Sequence, residues 1–299
     1  MTLNNKHVLV TGGNGFIGVN LTKKLKALNA EVDNFDRIDG NDIANIGQVT
    51  QFIKRGYHVI FHLAGLSGPL ESNNYPSDYL KTNTLATANI CSLIVKHSPQ
   101  TKLILSNSRQ EYGTPINLPV DENHPTLPTT VYGISKLAST QLAMVFSQSC
   151  KLDATVFRTS NVYGPYNRVT KGGYNIINKF INLAQSDQTI EIFGDGLQKR
   201  DYIYIDDLIN AFVLASTKEI SRGKVYNLGF GRGISLINMA EMIIQNIKKG
   251  NIKHIKWPQK FEKIETGSYV SDISKISKEL GFKPKIDFNT GIKMTLAYL

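Results

Sequence analysis

Short apolar runs alternate with longer stretches in which apolar residues recur every three or four positions, and this alternation repeats through the first half of the 299-residue chain. Val8 to Val10 is a β-branched run with the pattern of a strand buried on both faces; Phe16, Ile17, Leu21, Leu25 and Leu28 then recur at helical spacing. The same reading makes Glu31 to Phe35, Val59 to Leu63, Thr101 to Ser106 and Ala154 to Phe157 strands. Helices are predicted over Ser77 to His97 and Thr130 to Ser149, and Pro115 to Pro128 is a Pro-rich loop. Strand and helix in alternation imply a parallel sheet with right-handed crossovers, an α/β fold.

Beyond Asn161 the order loosens. A Gly/Tyr-rich loop, Tyr163 to Tyr174, precedes a helix ending at Ala184, and short strands follow at Thr189 to Phe193 and Tyr202 to Tyr204. Asp206 and Asp207 open a helix to Ser216, acidic residues suiting its positive end; Val225 to Leu228 reads as a strand and Leu236 to Ile247 as a helix. The C-terminal part is therefore expected to be a smaller mixed α/β lobe, interleaved with the first because the Asp206 helix and the Val225 strand read as pieces of the main sheet.

Composition narrows the classes. At 41% hydrophobic and 19% charged residues the chain is globular. No apolar run approaches the roughly 20 residues that span a bilayer, and no signal peptide is read at the start, so no membrane association and a cytoplasmic location are expected. The formal charge of +10 is spread out apart from a looser group at Lys248, Lys249, Lys253, Lys256, Lys260 and Lys263. With no interleaved aromatics, that predicts no nucleic-acid partner and a mild attraction for an anionic, diphosphate-bearing small molecule. Cys91 and Cys150 lack metal-ligand spacing and read as buried free thiols, and the histidines form no zinc pattern, so no metal is expected.

The candidate chemistry lies in two stretches. Gly12, Gly15 and Gly18 are spaced G-x-x-G-x-x-G between the first strand and the first helix. That spacing permits a tight turn, close approach of backbone to a pyrophosphate, and a helix N-terminus presented to phosphate. Asp36 closes the second strand, where a carboxylate accepts ribose hydroxyls; Asp42 and Ile43 follow in a loop able to flank an adenine ring. Small residues after the third strand, Leu63-Ala64-Gly65, leave room for a cofactor. A carboxylate at position 36 disfavours a 2′-phosphate, so NAD(H) is expected over NADP(H), with Arg37 as the opposing charge. In the second stretch, Tyr132 and Lys136 stand at i and i+4 on one helix face, and a nearby cation lowers a phenol's pKa from about 10. Ser108, beyond the fourth strand, is placed to share the reacting oxygen.

With these marks the chain resembles the extended short-chain dehydrogenase/reductases, within them the nucleotide-sugar (NAD-dependent) epimerase/dehydratase family. The resemblance runs nearly the whole length and rests on Thr11-Gly12-Gly13-Asn14-Gly15-Phe16-Ile17-Gly18, Phe61-His62-Leu63-Ala64-Gly65, Asn83, Ser106-Asn107-Ser108 before Tyr112-Gly113, Tyr132-Gly133-Ile134-Ser135-Lys136, Arg158-Thr159-Ser160-Asn161-Val162-Tyr163-Gly164-Pro165, and Lys199-Arg200-Asp201-Tyr202-Ile203. It implies a Rossmann-type doubly wound sheet: an NAD-binding domain over 1–165, with interleaved pieces near 201–230, and a nucleotide-sugar lobe over 166–299. It implies that Gly12, Gly15, Phe16, Ile17, Gly18, Asp36, Asp42, Ile43, Leu63, Ala64 and Asn83 bind NAD, with Tyr132 and Lys136 contributing. Tyr132 becomes the acid/base, with Lys136 and Ser108 beside it; Ser108, Asn161, Asn175, Arg200 and Tyr269 face a nucleotide-sugar substrate. Tyr269 matches a position where a large side chain narrows the pocket around the C2 substituent. A homodimer and a place in cell-surface polysaccharide biosynthesis are further implications.

Departures from the family pattern narrow the reaction. The dehydrating members carry Asp-Glu where this chain has Arg109-Gln110, and the decarboxylating branch needs Glu at Gln110. The 3,5-epimerase-reductases use Cys and His where Gln110 and Tyr166 stand. Chemistry needing only hydride transfer and a tyrosine remains: 4-epimerisation through a transient 4-keto sugar on tightly bound NAD, or NAD(P)H-dependent reduction of a 4-keto sugar. A non-catalytic dinucleotide sensor is disfavoured because both Tyr132 and Lys136 are present. Glu262 stands where the family places an Arg on the substrate phosphate, with Lys260 or Lys263 as replacement charges.

Overall fold

A computed structural model describes residues 2–167 and 176–298. Its first half runs β1 (His7–Thr11), α1 (Phe16–Ala27), β2 (Glu31–Phe35), α2 (Ile46–Ile53) and β3 (Val59–His62). Two short helices, α3 (Pro69–Ser72) and α4 (Pro76–Tyr79), precede α5 (Ala86–His97), and β4 (Lys102–Ser108), α6 (Val131–Cys150) and β5 (Asp153–Thr159) follow. After β6 (Asn161–Tyr163) come α7 (Ile176–Gln185), β7 (Thr189–Phe193), β8 (Lys199–Tyr204), α8 (Ile205–Thr217) and β9 (Lys224–Leu228). The chain ends with β10 (Gly233–Ser235), α9 (Leu236–Ile247), β11 (Asn251–Ile255), α10 (Gln259–Glu262), α11 (Ser274–Leu280) and α12 (Phe288–Leu296).

Six strands form one sheet in the order β2-β1-β3-β4-β5-β9, every pairing parallel. Strand alternation divides its apolar residues between two cores. Val8, Val10, Phe61, Ile104 and Phe157 pack with Leu21 and Leu25 of α1 and with α8, while Leu9, Ile60, Leu103, Leu105 and Val156 pack with α2, α5 and α6. That two-sided burial is why these strands read as unbroken apolar runs. The α/β expectation holds, and β9 closes the main sheet beside β5 as the Val225 reading anticipated.

The smaller sheets were only partly legible. β8 pairs in parallel with β6 and antiparallel with β10, and β7 pairs with β11. β6, β10 and β11 are short and partly exposed, with too little periodicity to announce them. The helix predicted over Ser77 to His97 is interrupted: a wider π turn over Leu80–Leu85 separates α4 from α5. In that turn the Asn83 carbonyl accepts the hydroxyls of Thr87, at 2.6 Å, and Ser139, at 3.0 Å, which rewards the looser winding. Cys91 is buried as expected, whereas Cys150, at the last turn of α6, is exposed. Among the described residues no helix is long and apolar enough to cross a membrane, and no group of three or more His, Cys, Asp or Glu side chains is placed to hold a metal ion.

Candidate active site

The chain leaves β1 for β2 on one side and returns to β3 on the other, so the carboxyl ends of β1 and β3 flank a topological switch point. A cleft of about 670 Å³ opens there. Gly12 takes φ +73°, and a Cβ on it would lie 2.8 Å from the Ala64 nitrogen; one on Gly18 would lie 2.2 Å from the Gly12 carbonyl oxygen. Only glycine lets the turn pass between β1, β3 and α1. Gly15 starts α1 with no side-chain cap, which leaves its first N–H groups to a ligand.

Gly12, Gly15, Asp36, Asp42, Ile43, Leu63 and Ala64 all line this cleft, as does Arg37. Asp36 is held at the tip of β2, one carboxylate oxygen accepting the Ile38 N–H and the other the Asn14 N–H, each at 3.0 Å. Phe16 and Ile17 pack their side chains on the core beneath α1, which leaves their backbone N–H groups in the uncapped first turn, and Gly18 lets α1 approach its turn. Asn83 has a structural part in the loop beside the cleft. Its amide spans the Leu66 N–H (2.8 Å), the Leu66 carbonyl (3.1 Å) and Ser135 Oγ (2.9 Å), so it fastens the loop after β3 to α6. The glycine cradle, the uncapped helix start and the carboxylate beyond β2 fit an adenine dinucleotide.

At the mouth of the cleft, Thr130 caps α6 by accepting the Gly133 N–H at 3.2 Å, which sets the helix phase. Tyr132 and Lys136 consequently face inward one turn apart. The Ser108 side chain, which ends β4 and accepts the Gln110 N–H at 3.2 Å, lies close enough to the Tyr132 phenol to favour its ionised form. Lys136 Nζ donates to the Ser106 carbonyl at 3.3 Å and approaches Gly65, where a Cβ would sit 3.5 Å away. Burial brings the Lys136 ammonium down to about 8, partly offset by Glu111. The Tyr132 phenol departs from expectation. Burial raises it above its ordinary value, outweighing the lowering by Ser108 and Arg109, and Lys136, turned to Ser106, does not pull it down.

On the substrate side, Asn161 begins β6 with its side-chain Nδ2 buried and without a partner among the described residues; β6–β8 pairing sets it beside Tyr202, whose buried hydroxyl is likewise unpartnered among them. Arg200 forms an ion pair with Glu265 and donates to the Gly267 carbonyl. Tyr269 is fully buried, stacked on Tyr112 with ring centroids 6.2 Å apart, so it forms wall rather than open lining. Asn175 lies outside the described residues. Glu262, Lys260 and Lys263 are all exposed on or beside α10. The sequence reading gave no role to Arg109, Tyr202 or Glu265; an arginine directly after an apolar strand was the available signal for the first.

A doubly wound sheet, a dinucleotide cleft at its switch point and a Ser/Tyr/Lys group at the mouth define a dinucleotide-dependent α/β enzyme. The chain belongs to the NAD dependent epimerase/dehydratase family, whose model matches residues 8–229. It is 30% identical over 310 residues to the "Putative UDP-glucose 4-epimerase" of Methanocaldococcus jannaschii, covering 98% of each chain. The dTDP-D-glucose 4,6-dehydratase of Mus musculus is 28% identical, over 98% of this chain and 88% of that protein. Among solved structures, the UDP-glucose 4-epimerase with UDP-glucose from Thermotoga maritima superposes with TM-score 0.87 at 26% identity, over 98% of both chains.

Proposed function

We propose that this protein is a nucleotide-diphosphate-sugar 4-epimerase working through a transient 4-keto sugar. The observation that carries the reading is the gathering of Ser108, Tyr132 and Lys136 beside Gly65 at the edge of the cleft, with Arg109-Gln110 next to Ser108 in place of an acid pair. Gly12, Gly15, Asp36, Asp42, Ile43, Leu63 and Ala64 would hold NAD, with Lys136 at its ribose; when bound, NAD supplies reversible hydride transfer at the sugar carbon. Tyr132 would take the proton from the reacting hydroxyl oxygen and return it to that same oxygen once the sugar has turned its other face to the returning hydride, while Ser108 orients the oxygen. Lys136 holds a positive charge one helical turn away. No acid pair beside Ser108 moves protons at C5 and C6, which speaks against dehydration. Asn161 and Arg200 are the donors assigned to the nucleotide sugar, with 1–165 and the pieces near 201–230 serving the cofactor and 166–299 the substrate. A homodimer is the assembly this reading takes, and Ile134 and Val145, about half exposed and eleven residues apart on one face of α6, are apolar side chains that such a contact would cover.

Mass analysis of the purified protein, followed by turnover on a panel of UDP- and dTDP-sugars, tests the reading. Retained NAD and interconversion of 4-epimers are expected, and Tyr132→Phe should cut turnover by about 10²–10⁴-fold while leaving NAD bound. An empty cleft with NAD(P)H-dependent consumption of a 4-keto sugar would assign a reductase instead.

A further inference from the structure

Arg109 is a buried cation with no anion paired to it among the described residues. It is 6% exposed, forms no ion pair with any of them, and makes one side-chain hydrogen bond, a long one of 3.4 Å from Nη1 to Thr266 Oγ1. Its guanidinium lies 5.2 Å from the centroid of the Tyr269 ring. The Glu265 carboxylate, whose charge reaches Arg109, is already paired with Arg200. Arg109 and Arg200 thus flank the Glu265–Gly267 turn, one bonded to Thr266 and the other to Glu265 and Gly267, and each arginine's charge acts on Tyr202. Tyr202 is 3% exposed, and its hydroxyl has no partner among the described residues. Of the two guanidinium groups beside this turn only Arg200 is paired with a carboxylate, and Arg109 and the Tyr202 hydroxyl are left without an anion or acceptor among the described residues. A buried polar group left unpaired costs free energy, and a buried charge costs more, unless something arrives to pair with it.

The position of Arg109 indicates what arrives. It follows Ser108 directly at the end of β4, so it is anchored beside the oxygen that addresses the sugar hydroxyl, whereas Arg200 stands on β8 in the smaller sheet. Arg109 therefore stands on the sugar side of Arg200. Resting on the 4-epimerase reading, the geometry points to Arg109, with the Tyr202 hydroxyl, as the receptor for a carboxylate carried on the sugar itself, making an acidic nucleotide sugar the preferred substrate class. A guanidinium and a hydroxyl donor suit the two oxygens of a carboxylate, whereas a neutral hexose offers single hydroxyl oxygens and leaves the buried charge without an anion.

Calorimetric titration of the NAD-loaded protein with UDP, UDP-glucose and UDP-glucuronate, with dTDP and dTDP-glucose in parallel, tests the assignment. UDP-glucuronate should bind at least about tenfold more tightly than UDP-glucose, and Arg109→Gln should erase that preference without changing the affinity for UDP. Arg109→Lys should restore part of it. Tyr202→Phe leaves no new unpaired group and should reduce the preference in a chain that folds normally, so the idea stays testable if Arg109→Gln does not fold. Equal binding of acidic and neutral sugars by the wild type would overturn the proposal. So would an equal loss for UDP and UDP-glucuronate in Arg109→Gln, which would assign the cation to the diphosphate. If no nucleotide or nucleotide sugar binds at all, the 4-epimerase reading itself fails.

Discussion

His62 ends β3 at 2% exposure with both ring nitrogens engaged, Nδ1 with Thr11 Oγ1 at 2.8 Å and Nε2 with Thr87 Oγ1 at 3.2 Å. Burial, assisted by the Lys136 charge, brings its pKa down to about 3 from an ordinary 6.5. Between those values the unfolded chain binds a proton that the native state refuses. The contribution is therefore complete above pH 6.5 and is lost as the pH falls from there towards 3. Thermal unfolding at pH 7 and pH 5 checks this: the wild-type Tm should drop, and His62→Gln should drop by less over the same interval. A drop of the same size in both would show that His62 is not the group responsible.

At the scale of elements, the turn between β1 and α1 is a packing problem solved by absent side chains. A Cβ on Gly18 would meet the Gly12 carbonyl oxygen at 2.2 Å and Gly13 Cα at 2.5 Å, and backbone cannot swing aside as a flexible side-chain tip does. Gly18→Ala must therefore lift the start of α1 away from β1. We expect a loss of more than about 1 kcal/mol of stability together with weaker NAD binding. Urea unfolding and an NAD titration measure the two, and unchanged affinity would mean that the turn tolerates a lifted helix. The π turn before α5 shows the opposite device, a helix loosened in its winding and held by hydroxyls from its own next turn and from α6.

Across the whole molecule, a buried polar network joins the elements that surround the site. Glu111 accepts Arg158 Nε and Thr140 Oγ1, each at 2.8 Å; Arg158 donates to the Tyr112 hydroxyl at 3.0 Å, and Tyr112 donates to Asn227 at 2.7 Å. Asn227 donates to the Val120 carbonyl at 2.8 Å, and that carbonyl also accepts the Asp272 N–H at 2.7 Å. One chain of contacts thus fastens α6, β5 and β9 to the segment that carries Tyr269. Glu111→Gln strands the Arg158 charge and should cost about 3–5 kcal/mol. Adding Arg158→Met should recover most of that loss, because a buried pair replaced by apolar volume is often neutral. Equilibrium denaturation of the single and double variants decides it, and a double variant no better than the single would show that the network matters beyond its charge balance.

What the sequence determined alone is what near neighbours along the chain decide. The glycine spacing at 12, 15 and 18, the i and i+4 placement of Tyr132 and Lys136, and the doubly buried strands were legible because strand alternation and the helical repeat act over a few residues. The continuous helix through Leu80–Leu85 was misread because the π turn depends on Ser139, a hydroxyl from a distant helix. The direction of the Tyr132 phenol's shift was likewise hidden, since burial is a property of the packed molecule. Only the tertiary structure brought Arg109, Tyr202, Glu265 and Arg200 together, because no local pattern records which strand ends and loops meet. Only it showed which buried donors are left without an acceptor, for a hydrogen bond is satisfied or not by whatever the rest of the chain packs against it.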